Sequence, residues 1–94
     1  MTDTAGETLL IKVDNVVWRE VDDELVILEL PTTTYLTLNG SAKQLWLRLA
    51  DGATSQELAL MLVDNYKISR EQAASDTESF LSDLDQRELL DRGS

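Results

Sequence analysis

Short runs of β-branched, aromatic and leucine side chains fill the first forty residues, and polar turn residues separate them. The runs cover residues 11–20, 25–30 and 33–38, with Asp22–Glu24 and Pro31–Thr32 between them. Such runs are typical of β-strands, and Asp14-Asn15 marks a kink or turn within the first. Because both connections are short, we predict an antiparallel meander in which the strands neighbour one another in chain order.

From residue 41 onward the apolar residues recur at helical spacing in three segments. Each segment opens with a capping-box sequence, in which Ser or Thr is followed three residues later by Gln or Glu: Ser41–Gln44, Thr54–Glu57 and Ser69–Gln72. Gly52 lies where the first helix should end in a left-handed conformation. The pattern predicts one α+β domain over residues 11–90, ordered β-β-β-α-α-α, with flexible ends over residues 1–10 and 91–94.

Composition narrows the possible functions. The chain has 18 Asp plus Glu against 8 Lys plus Arg, a net charge of −10, and neither Cys nor His. Without Cys and His it lacks disulfides, a thiolate nucleophile, the commonest general base and the usual zinc ligands. The acidic excess argues against nucleic acid and anionic membranes as partners. We therefore expect a cytoplasmic protein that is not an enzyme and holds no cofactor or metal, with Asp22–Glu24 as a solvated turn.

The third predicted strand is an edge of the sheet without the usual protection. No charged residue occurs from Leu30 to Gly40, although proteins normally guard an exposed edge with charge, proline or a bulge. Either a helix or the N-terminal segment covers this edge, or an extended peptide pairs with it. In the second case a proline at Thr34 or Leu36 should remove a backbone donor that faces the peptide. The peptide-binding candidates are Thr33, Thr34, Tyr35, Leu36, Thr37 and Leu38.

The third helix offers a second wall for such a peptide. One line along this helix carries Ala73, Thr77, Phe80 and Leu84, and Asp76 and Asp83 flank it. The apolar line is either core or the wall of a groove. The two acids are either simply solvated or form a rim that favours a peptide carrying Lys or Arg.

An ordered set of short motifs resembles the PqqD-like family, the precursor-peptide recognition elements of ribosomally made, modified peptides. The set comprises residues 35–42 (YLTLNGSA), Leu45-Trp46, Asp51-Gly52 and a D-x-x-x-F-L-x-x-L-x-x-x-x-L-L ending at residues 76–90. The resemblance covers about residues 16–90. Glu88 departs from the small residue or glycine usual before the final leucine pair, which affects packing more than binding.

The resemblance implies a winged-helix-like domain that binds the leader region of a precursor peptide. The leader would add as a fourth antiparallel strand beside strand three and lie against the third helix. Residues 33–38 would then supply the backbone pairing, and the groove would be formed by Ala73, Asp76, Thr77, Phe80 and Asp83. The acidic sequence looks most like the discrete recognition proteins of lasso-peptide biosynthesis, whose partners are a leader peptidase and an ATP-dependent cyclase.

Three other functions remain open at this stage. A PqqD-like chaperone for a radical-SAM or quinone-cofactor pathway fits the same motifs. A winged-helix transcription regulator fits the order of elements, but from Ser69 to Leu90 six acids face two basic residues, which disfavours phosphate contacts. A carrier protein modified at Ser41 is a further possibility, but a helix-capping role explains this serine better. The open edge is also able to pair with itself, so we expect a monomer or a weak dimer.

Overall fold

The computed structural model describes residues 7–93 and confirms an α+β architecture. Within residues 7–93, five strands and three helices follow one another, with a 3-10 turn at Val13–Asn15. Their bounds are β1 Thr8–Ile11, β2 Val16–Val21, β3 Glu24–Glu29, β4 Thr34–Leu38, α1 Gly40–Ala50, α2 Ser55–Tyr66, α3 Arg70–Gln86 and β5 Leu90–Gly93. Across these residues, no helix has the length and apolar character needed to cross a membrane.

The predicted meander is confirmed as a three-stranded antiparallel sheet in the order β2-β3-β4. A two-residue turn, Asp22-Asp23, joins the first two strands and pairs Val21 with Glu24. Asp22 adopts a positive φ of 58°, which a short polar side chain tolerates at a tight hairpin turn. The second hairpin pairs Leu25 with Leu38 and Glu29 with Thr34.

The prediction of one strand over residues 11–20 is wrong, because the chain forms two strands that belong to different sheets. Ile11 ends β1, the turn at Val13–Asn15 redirects the chain, and β2 begins at Val16. The expected flexible ends also differ, since β1 and β5 pair as a second antiparallel sheet, from Thr8↔Gly93 to Ile11↔Leu90. Residues 1–6 and 94 lie outside the described part of the chain.

The helix caps confirm one of the three predicted capping boxes in full. Thr54 accepts from the backbone N–H of Glu57 at 3.1 Å, and the Glu57 carboxylate accepts from the backbone N–H of Thr54 at 2.9 Å. Ser69 caps α3 by accepting from the Gln72 backbone at 3.0 Å, but the Gln72 side chain donates to Asp76 instead.

The box predicted at Ser41 is wrong, because β4 leads into α1 with only one residue between them. Asn39 is extended and occupies the N-cap position without a side-chain hydrogen bond, so Ser41 already lies within the helix. At the other end of α1 the prediction is confirmed. Gly52 has φ +92° and its N–H donates to the Leu49 carbonyl at 2.9 Å, and a Cβ there would approach Leu10 Cδ2 to 3.1 Å.

The hydrophobic core lies between the inner face of the β2-β3-β4 sheet, the three helices and the small β1-β5 sheet. Trp46 of α1 is fully buried and meets Trp18 of β2 edge to face at a centroid distance of 5.5 Å. Leu25 and Ile27 close the core from the sheet. The other buried apolar residues are Leu9, Ile11, Val16, Leu45, Leu49, Ala53, Leu58, Leu62, Ala73, Leu81, Leu84, Leu89 and Leu90.

Candidate peptide-binding groove

Strand β4 is an open edge of the three-stranded sheet. It pairs with β3 on one side, and over residues 7–93 no strand pairs with its other side. Its side chains alternate between exposed and half-buried positions at Tyr35–Leu38. The sequence left open whether a helix or the N-terminal segment covers this edge. Within residues 7–93, no segment forms strand pairing with the free side of β4.

The register fixes which backbone groups of β4 are free. The N–H of Leu30 donates to the Asn15 carbonyl at 2.8 Å, and this pair continues the β2–β3 register. Antiparallel pairs alternate between hydrogen-bonded and non-hydrogen-bonded types. Even-numbered residues of β3 therefore bond to β2, and odd-numbered ones bond to β4.

The same alternation carries over to the edge strand. Thr34, Leu36 and Leu38 oppose the odd-numbered residues of β3, so their N–H and C=O groups bond inward. The N–H and C=O groups of Tyr35 and Thr37 consequently point away from the sheet. A proline at Thr34 or Leu36 would disrupt β3–β4 pairing, so the expectation that either donor faces a peptide is wrong.

Helix α3 runs beside β4 in the opposite direction. Near the start of β4, Arg87 Nη1 at the end of α3 lies 2.8 Å from Glu29 Oε2, and Glu29 is the β3 partner of Thr34. Beyond the end of β4, Ser41 and Asp76 line one cavity of about 210 Å³. We call the space between the open edge of β4 and the half-buried Phe80 on α3 the candidate groove. A peptide antiparallel to β4 would run through it in the direction of α3.

The predicted groove residues differ in how far they are exposed to a peptide. Leu36, Leu38 and Phe80 are half-buried apolar side chains that pack against the core from the two sides of the groove. Ala73 and Thr77 are buried in the core, so neither side chain is open to a peptide in this conformation. The Thr77 hydroxyl has no hydrogen-bond partner within the described residues.

The remaining candidates are exposed, and the two acids already have partners. Asp76 accepts from Gln72 Nε2 at 2.8 Å, and Asp83 accepts from Arg87 Nε at 3.2 Å. Of the strand residues, Tyr35 and Thr37 project from the outer face of the sheet, because Leu36 between them faces inward. Contact of the predicted residues with a peptide stays a prediction.

Glu29 and Arg87 are groove residues that the sequence reasoning missed. Glu29 is 5% exposed although it carries a carboxyl group. Burial on its own would lower the pKa of Arg87, but the Asp83 and Glu29 carboxylates outweigh it and raise that pKa. The sequence contained a signal for the buried carboxylate of Glu29. Side chains alternate between the two faces of a strand, so Glu29 lies on the same inward face as Leu25 and Ile27.

The comparisons with known proteins agree with this geometry. The profile of a family described as Coenzyme PQQ synthesis protein D (PqqD) matches residues 24–90. A solved structure described as "TbiB1 in Complex with the TbiA(beta) Leader Peptide" is 32% identical, with a TM-score of 0.81 over 90% of this chain and 98% of that one.

A second solved structure shares the fold. It is described as "Lasso peptide synthetase B1 complexed with the leader peptide" and is 22% identical, with a TM-score of 0.78 over 87% of this chain and 95% of that one. No curated protein sequence matches significantly.

Proposed function

The chain belongs to the PqqD family, and we propose on that basis that it recognises the leader region of a ribosomally made precursor peptide in lasso-peptide biosynthesis. The observation that carries the proposal is the open edge of β4 beside α3. A similar chain of 32% identity is described in complex with a leader peptide. The match in fold and length supports leader binding by this chain as well.

Binding by strand addition uses the free backbone groups first. The two N–H and two C=O groups of Tyr35 and Thr37 pair with alternate residues of an antiparallel leader. Each such hydrogen bond contributes about 1 kcal/mol net. Leader side chains that enter the groove contact Leu36, Leu38 and Phe80, and each well-buried apolar side chain adds about 1.5–3 kcal/mol.

The protein's part in the pathway is delivery rather than catalysis. It holds the leader while a leader peptidase and an ATP-dependent cyclase act on the rest of the precursor, and it works in the cytoplasm without a cofactor. Neither Cys nor His is available to it as a catalytic group. The described residues contain no group of three or more potential metal ligands.

Replacing Thr37 by Pro tests the strand-addition mechanism. The substitution removes an outward N–H and places the proline ring where the leader would lie, so we expect leader affinity to fall more than tenfold. Fluorescence anisotropy of a labelled leader measures the affinity. Labelled peptide is preferable to intrinsic fluorescence, because Trp18 lies on β2, two strands away from the edge.

Glu20→Pro is the matched control. Glu20 is exposed on β2, the opposite edge of the sheet, and by the same alternation its N–H also points away from β3. A proline there also removes the ion pair of Glu20 with Lys43 Nζ at 2.8 Å, so it should cost at least as much stability and leave leader affinity within twofold. If the Thr37→Pro variant remains folded by circular dichroism and binds leader as the parent does, strand addition at β4 is wrong.

A second candidate is a peptide chaperone for a quinone-cofactor pathway. The description of the matching family, Coenzyme PQQ synthesis protein D, favours it. The binding edge would be the same and the peptide would differ. Titrating precursor peptides of both pathways in the anisotropy assay separates the two, because the cognate leader should bind at least tenfold more tightly.

A further inference from the structure

Arg87 lies at the end of the candidate groove where β4 begins. Its Nη1 atom is 2.8 Å from Glu29 Oε2, and Glu29 pairs with Thr34, the first residue of β4. Its Nε atom donates to Asp83 Oδ2 at 3.2 Å. A guanidinium carries five N–H donors, so these two bonds leave it the capacity to bind a further acceptor. The Arg87 side chain is 34% exposed and is therefore accessible to a ligand.

A leader strand paired with β4 has a second edge, which faces away from the sheet. Backbone groups alternate in direction along an extended peptide. The leader residues that bond to Tyr35 and Thr37 therefore alternate with residues whose N–H and C=O groups point to the other side. We call the row of these groups the far edge of the leader.

The far edge would face α3, because this helix runs beside β4. Backbone polar groups that are enclosed between two elements need hydrogen-bond partners. No further strand of residues 7–93 is available to pair with the far edge. Side chains of α3 are therefore the protein groups in position to bond to it.

The side chains that α3 offers to the far edge are mostly acceptors. One line along the helix carries Asp76, Asp83 and Arg87. Carboxylates accept from the N–H groups of the leader, but a carbonyl oxygen needs a donor. Of the three side chains, only the guanidinium of Arg87 is a donor, so it is the one that can bind a carbonyl of the far edge.

The charge around Arg87 favours a neutral acceptor over an acidic one. The guanidinium lies between the carboxylates of Glu29 and Asp83, so two negative charges surround one positive charge. A leader Asp or Glu would add a third carboxylate to this cluster and would be repelled by the other two. A backbone carbonyl carries no net charge and is present at every leader residue.

We infer that Arg87 donates a hydrogen bond to a backbone carbonyl of the leader, near the C-terminal end of the segment that pairs with β4. The inference rests on the proposed leader binding. The position follows from the direction of the peptide, because a leader antiparallel to β4 reaches the start of that strand with its C-terminal part. This bond involves no leader side chain, so it attaches the peptide to α3 without restricting the leader sequence there.

A thioamide scan of a synthetic leader, combined with Arg87→Gln, tests the inference. Replacing one backbone C=O by C=S weakens the acceptor and leaves every side chain in place. At one far-edge position we expect the replacement to weaken binding to the parent protein at least fivefold, because bonds to a charged donor are the strong ones. Binding to the Arg87→Gln variant should weaken less than twofold at the same position, measured by fluorescence anisotropy.

The comparison is made between two peptides on the same protein, so a loss of stability in the variant cancels from the ratio. Arg48→Gln is the matched control, because Arg48 of α1 pairs with Glu57 of α2, outside the groove. Asp83→Asn is the second control, because it removes one partner of Arg87 and keeps the guanidinium. Both controls should retain the fivefold effect.

A second measurement tests the same bond if the Arg87→Gln variant does not fold. In the isotope-labelled parent protein, adding the leader should slow the exchange of the Arg87 Nη–H protons with water, as followed by NMR. At one far-edge position the thioamide leader should slow this exchange less. Unchanged exchange on leader binding would contradict the inference.

The outcomes separate the inference from the proposed function. A parent protein that binds no leader overturns both. Normal leader binding in which no thioamide position depends on Arg87 overturns the inference alone. Replacing each leader Asp and Glu by its amide provides the last arm, and an effect of such a replacement that depends on Arg87, without any thioamide effect, also overturns it.

Discussion

The ion pair between Glu29 and Arg87 joins the sheet to α3 at one end of the groove. Its two sides differ in exposure, since the Glu29 side chain is 6% exposed and that of Arg87 is 34% exposed. A carboxylate so deeply buried is costly unless its partner is present. The pair therefore sets where α3 ends relative to β4, and with it the spacing of the groove.

Replacing Arg87 by Gln should lower the free energy of unfolding by about 2 kcal/mol, because Glu29 is left buried without its cation. The Glu29→Gln/Arg87→Gln double variant should lose less than the sum of the single losses. Urea denaturation measures all three. Asp83→Asn removes the exposed partner of the same guanidinium and should cost below about 0.5 kcal/mol; equal losses from the Arg87 and Asp83 variants would contradict this account.

At the scale of single residues, the sequence indicated the open edge but not its detail. The absence of charge from Leu30 to Gly40 marks β4 as unguarded. Whether the odd-numbered or the even-numbered residues of β4 have free N–H groups depends on the β3–β4 register. No local sequence pattern indicates that register. The burial of Ala73 and Thr77 likewise depends on how α3 packs against the rest of the core.

At the scale of elements, local signals worked where an element starts in a free loop. Thr54 follows the irregular stretch after α1 and caps α2 as its sequence predicts. Ser41 carries the same kind of signal, but β4 runs almost directly into α1 and moves the N-cap to Asn39. Sequence alone does not show how tightly two elements are joined.

Alanine substitutions at the two sites compare these caps directly. Thr54→Ala should cost about 1 kcal/mol of stability, because the N–H of Glu57 loses its acceptor. Ser41→Ala should change stability by less than about 0.3 kcal/mol, because alanine is the better residue inside a helix. Thermal unfolding of both variants measures the difference. A larger loss at Ser41 than at Thr54 would contradict the cap assignment.

At the scale of the whole molecule, the two ends of the chain close the fold. β1 pairs with β5 across 79 to 85 residues of sequence, and Leu9 also exchanges backbone hydrogen bonds with Ala53 at 2.8 and 3.1 Å. Pairing between residues so far apart in sequence does not affect the local hydrophobic periodicity. The sequence therefore predicts flexible ends and one continuous first strand.

Removing residues 91–94 should therefore destabilise the domain, because β1 loses most of its partner strand while Leu89 and Leu90 remain. We expect a loss of about 1–3 kcal/mol, from a few backbone hydrogen bonds worth about 1 kcal/mol each. Chemical denaturation provides the measurement. Deletion of residues 1–6 leaves both strands intact and is the control; unchanged stability after the first deletion would show that β5 contributes nothing.

The alternation of bonded and free backbone groups along β4 has a consequence for the register of a bound peptide. Within β4, only Tyr35 and Thr37 have backbone groups that no strand of residues 7–93 occupies, and a peptide backbone offers the same groups at every position. A leader shifted by two residues would keep the same hydrogen bonds and the same side-chain faces. The strand edge therefore permits peptide registers that differ by two residues, but it does not select one of them. We expect the cavity that Ser41 and Asp76 line, beyond the end of β4, to select one of these registers by accepting a particular leader side chain.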